Sequence, residues 1–366
     1  MRFSPFLTIA LALAGTSALS QSTEFTSVSG ATATFYGQIN LTYQGVDDGD
    51  DTYGDIVDNS NSGSRVGLWI RRSYGDRELS FNFETNLGLK NTADTSQNDD
   101  VDALDWQRTD IRKLEVVYGG SFGKLWLGQG SMATDGAAEV DNSGTSIAGY
   151  VNVSDSAGGY TFQNAGVLSG TRIGDAFKDF DGGRRMRVRY DSPEMAGLIL
   201  SAAYGEEVLN EDDDSTYYDV ALRYLHDGDV IGISSAIGYS WTDGDDGTDE
   251  NLVASGTLLH KATGLNVTLA AGDKRSGDGR YVFTKLGWIT DLVSVGQTAF
   301  AVDYYNGQDF AVAGSDSDSW GIEAVQQFEK QGLEAYVGYR VYAFDDNAGS
   351  DYEDIRSLLL GARWKF

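Results

Sequence analysis

The chain has no cysteine, only two prolines and only two histidines among its 366 residues. Without cysteine there is no disulfide framework, no thiolate metal site and no cysteine nucleophile. Two histidines, His226 and His260, leave little for imidazole-based catalysis. Positive charge is also scarce: 27 Lys and Arg face 55 Asp and Glu, a formal net charge of −28. Nucleic acid, which is held through its phosphates by Lys and Arg, is therefore excluded as a partner. So is a polybasic membrane-surface role. Beyond the first twenty residues there is no run of eighteen apolar residues, which excludes a helical membrane protein.

Glycine and aromatics are abundant, with 46 Gly, 20 Tyr, 16 Phe and 7 Trp. Many short strands joined by tight turns use such a composition better than helices do. The N-terminus reads differently. Arg2 precedes the apolar stretch Phe6 to Ala14, and Thr16 to Ser20 supplies small residues. This three-part layout predicts a secretory signal peptide over 1–20, leaving 21–366 as the mature chain.

The mature chain alternates with period two. Phe35, Ile39, Leu41 and Tyr43 interleave with Tyr36, Gln38, Asn40 and Thr42. Leu79, Phe81 and Phe83 interleave with Ser80, Asn82 and Glu84, and Leu358, Leu360, Ala362, Trp364 and Phe366 close the chain in the same way. The pattern predicts sixteen strands, near 32–43, 64–74, 77–89, 110–119, 122–129, 183–191, 197–205, 217–226, 230–241, 251–260, 264–272, 279–289, 293–305, 319–328, 333–344 and 354–366. Their connections alternate between tight turns, such as Tyr74 to Arg77, and longer acidic loops. An even strand number with short turns at one end and long loops at the other predicts an all-β fold. The expected form is a 16-stranded antiparallel transmembrane β-barrel. A closed sheet pairs every backbone group within hydrocarbon and leaves no edge. Sixteen strands enclose a lumen too wide for side chains to fill, so inward positions are expected to be polar and wet. Tyr43, Trp241, Trp288, Tyr304, Trp320, Tyr342 and Trp364 are candidates for interfacial aromatic girdles.

Three stretches carry a family resemblance: Phe122 to Ser131 (FGKLWLGQGS), Thr134 to Gly144 (TDGAAEVDNSG) and Arg184 to Pro193 (RRMRVRYDSP). Together and in this order they resemble the Gram-negative trimeric general porin family over nearly the whole mature length. The resemblance implies a homotrimer of water-filled channels for small hydrophilic solutes and ions. It also implies a long third loop, about 130–182, folded into the lumen. The terminal aromatic Phe366 resembles the signal read by the barrel-assembly machinery.

Arg185, Arg187 and Arg189 share one strand face. Guanidiniums facing lipid would each cost about 2–4 kcal/mol at the midplane, so they are expected to point inward. Arg65, Arg71 and Lys113 fall on inward faces of neighbouring strands, completing a candidate basic wall. Asp135, Glu139, Asp141, Asp155 and Asp175 of the third loop form the candidate acidic side. Opposed walls of this kind would set a transverse field at the narrowest point and filter solutes without a cofactor. Acidic runs at 47–51, 211–214 and 243–250 would enrich cations at the mouth, and could bind Ca²⁺ or Mg²⁺ or bridge to lipopolysaccharide. Two alternatives stand beside the general channel: a substrate-selective channel, for example for anionic solutes, and a barrel enzyme.

Overall fold

The computed structural model describes residues 23–98, 101–245 and 247–366. The expected signal peptide lies outside the described residues. Among the described residues twenty strands form, most of them in runs rich in β-branched and aromatic residues. They are β1 (Thr23–Thr26), β2 (Thr32–Asp47), β3 (Thr52–Asp58), β4 (Arg65–Tyr74), β5 (Arg77–Asn86), β6 (Ile111–Gly120), β7 (Gly123–Ser131), β8 (Thr161–Asn164), β9 (Val167–Arg172), β10 (Arg184–Asp191), β11 (Leu198–Glu206), β12 (Thr216–Asp227), β13 (Ile231–Gly244), β14 (Gly247–His260), β15 (Leu265–Lys274), β16 (Arg280–Val293), β17 (Gly296–Gln308), β18 (Asp316–Phe328), β19 (Leu333–Asp345) and β20 (Ile355–Lys365).

Sixteen of these close an antiparallel barrel, and all sixteen expected segments take part. The ring closes where β20 pairs β2, from Gln38 opposite Lys365 to Asp47 opposite Arg356. β7 pairs β10 directly, so residues 132–183 leave the wall and return to it as one loop. The hairpin of β8 and β9 belongs to that loop. β3 is an addition to the upper half of β2, inside the first long loop.

The other addition, β1, protects an edge. β20 ends below Gln38, which would leave the start of β2 unpaired on one side. β1 turns back through Ser27 to Gly30 and pairs there, Thr23 opposite Phe35 and Thr26 opposite Thr32. Phe366 completes the seam: its N–H donates to the Gly37 carbonyl at 3.0 Å, and Gly37 N–H donates to the Phe366 carbonyl at 2.9 Å. No backbone edge is left to recruit another chain there.

Alternation sorts the two faces. Along β16, Val282, Thr284, Leu286 and Trp288 are exposed outward while Tyr281, Phe283 and Lys285 are buried inward. The outward face is apolar all round the ring, with Leu360, Ile322 and Leu200 each more than half exposed. Six of the seven expected girdle aromatics are at least partly exposed, but Tyr342 is not. It is fully buried inside the barrel, where its hydroxyl donates to the Val153 carbonyl of the third loop at 2.6 Å.

That contact belongs to a dry region that the alternation alone did not suggest. The main apolar cluster joins loop residues Val151, Val153, Phe162, Ile173 and Phe177 to wall residues Tyr281, Phe283, Tyr305, Tyr342 and Ile355. Phe177 packs between Tyr305 and Tyr342 at ring-centroid distances of 5.4 and 5.3 Å. The expectation of a wholly wet interior therefore holds for only part of the lumen. One side of the inner wall is covered by the loop and packed like a protein core; the other side is open.

Candidate pore constriction

The third loop is pinned at both ends and along its length. Asp219 of β12 accepts from the Ala133 and Thr134 N–H groups and from the Thr134 hydroxyl, at 3.1, 2.7 and 2.6 Å. Asp181, near the loop's other end, accepts from Gly136 N–H at 2.6 Å and Ala138 N–H at 2.8 Å, tying the two ends together. Lys285 of β16 reaches across the lumen to Asp141 at 2.9 Å and to the Gly149 carbonyl at 2.5 Å. The loop backbone presses so closely on β19 that a Cβ at Gly338 would lie 2.5 Å from the Ala148 carbonyl oxygen. Glycine is required there for close approach rather than for turning.

This anchoring projects the free edge of the loop toward β2, β4 and β6. Between them remains an opening of about 460 Å³. Arg65, Arg112 and Arg184 line it on the wall side, and Asp135, Glu139, Asp155, Asp179 and Asp181 on the loop side. Glu84 of β5 organises the basic side, 2.7 Å from Arg112 and 3.7 Å from Arg65. Tyr36 holds Glu84 in turn, donating to it at 2.9 Å. Across the gap Arg184 approaches Asp135 at 3.7 Å. Tyr150 donates to Asp155 at 2.8 Å.

The loop carboxyls share one electrostatic problem. Burial raises the pKa of Asp155 to about 7, with Asp179 and Asp94 adding repulsion. Burial raises Glu139 well above the usual carboxylate range, and the neighbouring Asp179 and Asp181 raise it further. Asp181 is raised for the same reasons, burial first, then Asp179 and Asp135. Like charges this close in a partly desolvated site favour the neutral form.

The expected site residues divide. Arg65, Asp135, Glu139 and Asp155 meet at the opening. Asp141 sits behind it, buried against Lys285. Asp175 faces Arg172 at 3.1 Å on the loop's short helical turn, half-exposed. Lys113 stands opposite Glu84 in the β5–β6 register but does not line the gap. Arg71 lies toward the short-turn end, its guanidinium 4.3 Å above the Trp69 ring. The arginine row of β10 does point inward, yet it is spent on the wall. Arg185 leans to Glu207 at 3.5 Å and over the Tyr217 ring at 4.0 Å. Arg187 is sealed in an ion pair with Glu115, in space left by Gly130, whose Cβ would lie 2.4 Å from the Glu115 carboxylate. Arg189 pairs with Asp191 at 2.8 Å and donates to the Met132 carbonyl at 2.8 Å.

Sequence reasoning missed Arg112, Arg184, Asp179 and Asp181. Strict alternation sets Arg112 on the lipid side with Leu114. The β5–β6 register slips between Glu84 and Thr85, so Arg112 is the extra residue of a bulge, and its side chain is re-aimed inward. No sequence signal marks such a bulge. Arg184 opens β10 at its outer end, where the alternation is not yet enforced. Among the described residues, no group of three or more His, Asp or Glu side chains comes together to hold a metal ion, in the acidic outer loops or elsewhere.

The family model for Gram-negative porins matches residues 7–347. The chain belongs to the Gram-negative porin family. No curated protein matches it. Among solved structures, the porin is similar to the anion-selective porin from Comamonas acidovorans, at 16% identity and a TM-score of 0.61, covering 92% of this chain and 100% of that one. It is similar to OprB of Pseudomonas putida at 9% identity and a TM-score of 0.62, covering 91% and 94%. It is similar to the outer membrane channel DcaP of Acinetobacter baumannii at 12% identity and a TM-score of 0.58, covering 93% and 99%. At these identities the likeness is one of fold. The porin is an outer-membrane channel for passive diffusion of solutes. In outer-membrane barrels generally, long loops face the outside and short turns the periplasm.

Proposed function

We propose that this porin is a general diffusion channel for small hydrophilic solutes, filtered by a transverse field between Arg65, Arg112 and Arg184 and the carboxylates of the third loop. The observation that carries the reading is the single opening lined by cations on one side and acids on the other. A polar solute keeps its interactions in such a field, whereas an apolar one must displace oriented water without compensation. With a net charge of −28 in the chain and acidic runs in its outer loops, the channel prefers cations weakly.

The porin works as a homotrimer, the state of one form of the structurally similar OmpT of Vibrio cholerae. It reaches the outer membrane after removal of residues 1–20, with Phe366 as the group read by the assembly machinery. Lipopolysaccharide contacts the acidic outer loops through bridging divalent ions. The porin has no enzymatic activity. His226 stacks on Tyr224, and His260 hydrogen-bonds Thr263 at 2.8 Å, both at turns and away from the opening.

The test is reconstitution into planar bilayers with a KCl gradient. The wild-type channel should give a small cation-selective reversal potential. Replacing Arg65, Arg112 and Arg184 together by Ser should raise it severalfold. An unchanged potential in that triple variant would remove these residues from the constriction.

A further inference from the structure

A second cavity, of about 560 Å³, lies on the periplasmic side of the constriction, against the inner face of β4 to β7. Small-molecule sites commonly fall within 300–1,000 Å³. The strand registers fix its plan. Arg71, Ser80, Val117 and Trp126 form one cross-strand row, pointing the same way. Trp69 stands one step above Arg71, and Lys124 one step below Trp126. Three strand spacings separate the ends of the row, about 14 Å. Ser80 and Val117 form the floor between them and each end carries an indole and a cation, while Asp76, Arg77 and Glu78 line the rim on the short-turn side.

Two features of this cradle need an explanation. Trp69 presents its ring to an aqueous lumen, and so does Trp126, whose indole N–H donates to Asp191 at 2.9 Å. Neither Arg71 nor Lys124 makes an ion pair among the described residues, although Asp76 and Glu78 line the same cavity and Glu78 accepts from the Ser80 hydroxyl at 2.9 Å. Arg71 instead lies flat over Trp69, its centre 4.3 Å from the ring. Stacking leaves the edge of a guanidinium, with its N–H donors, free to take a carboxylate.

We infer that this cradle is a binding subsite for an aromatic carboxylate, its ring held between Trp69 and Trp126 over the small-residue floor and its carboxylate taken by Arg71 or Lys124. The inference rests on the channel reading, since the ligand enters through the lumen. It adds a step of recognition beneath a constriction that only filters. Solutes with a flat ring and one negative charge are retained there, and others pass.

The experiment is isothermal titration of the purified full-length porin in detergent, with benzoate as the probe and acetate and benzyl alcohol as controls. Benzoate should bind saturably, and both controls at least about tenfold more weakly, since each lacks one half of the recognised chemistry. Arg71→Gln and Trp69→Leu should each weaken benzoate about tenfold, the scale of one charged hydrogen bond. Lys124→Gln, at an exposed position that folding does not depend on, keeps the test open if the other variants assemble poorly. Acetate binding as tightly as benzoate would overturn the inference, because only a charge would then be read. Benzoate affinity unchanged in both Arg71→Gln and Lys124→Gln would overturn it too, as would absence of saturable binding to a porin that conducts KCl. A preparation that conducts no KCl would instead defeat the channel reading itself, so the two failures are distinguishable.

Discussion

The two sides of the lumen solve opposite problems with the same strand alternation. Along β16 to β19 the inward residues are Tyr281, Phe283, Lys285, Tyr305, Arg340 and Tyr342, all buried. The third loop lies on them and turns that wall into a core. Along β4, β6 and β10 the inward residues include Arg65, Arg112 and Arg184, and at the gap their charges face water. The buried wall also carries ions, but each is matched: Lys285 with Asp141 at 2.9 Å, and Arg340 with Asp303 at 2.6 Å and Glu323 at 3.4 Å. Lys285 on the dry side holds the loop, Arg340 ties wall strands to one another, and charge at the gap acts on solutes. An inward arginine is therefore not by itself a pore residue. What decides its role is whether the loop or an acid on a neighbouring strand takes it up, as Glu115 takes Arg187 and Glu207 takes Arg185.

Breaking the dry side should have the largest effect. Lys285→Met leaves Asp141 buried without its partner, which costs about 3–5 kcal/mol. The variant should unfold at clearly lower temperature in detergent and show noisy, enlarged single-channel currents as the loop loosens. Wild-type currents from this variant would mean the loop is held mainly by its apolar face. Gly338→Leu forces the loop off β19 at a contact where even a Cβ would lie 2.5 Å from a carbonyl oxygen. Overpacking of this kind costs about 1–3 kcal/mol, to be read from thermal unfolding. Tyr342→Phe removes one hydroxyl from the loop–wall contact and leaves the Val153 carbonyl without that donor, worth about 1 kcal/mol by the same measurement.

The wet side can be sharpened by pH. With its pKa at about 7, Asp155 is charged at pH 8 and neutral at pH 5.5. Lowering the pH across that range removes negative charge from the loop edge, so cation preference should fall on acidification. Asp155→Asn should give the low-pH reversal potential already at pH 8 and flatten this part of the titration. An identical titration in the variant would place the controlling carboxyl elsewhere on the loop.

Much of this architecture was legible in the chain because lipid imposes a simple rule. A residue facing hydrocarbon must be apolar, its neighbours must face the lumen, and the alternation then marks each strand. The sixteen barrel strands follow that rule except at irregularities such as the bulge at Arg112. The expectation that Arg185, Arg187 and Arg189 face inward rested on the same physics, and they do. Their assignment to the constriction had no such physics behind it. Asp191 lies two residues along from Arg189, but Glu115 and Glu207 are neighbours only across strands, and the space at Gly130 is visible only in register. Arg112 was illegible for a different reason: a bulge changes which face a residue takes without changing the residues around it. Asp179 and Asp181 sit beyond the loop's apolar stretch, and nothing in the spacing indicates that the chain returns them to Asp135 and Glu139.

The amino-acid sequence alone determined that this protein closes into a lipid-facing ring with charge inside, because period two and the cost of desolvating charge leave one arrangement. Only the tertiary structure decided which of those charges meet water. The third loop selects which wall to cover through its packing on Tyr281, Tyr305 and Tyr342 and its ion pair to Lys285. Contacts between residues more than a hundred positions apart carry no local signature in the chain.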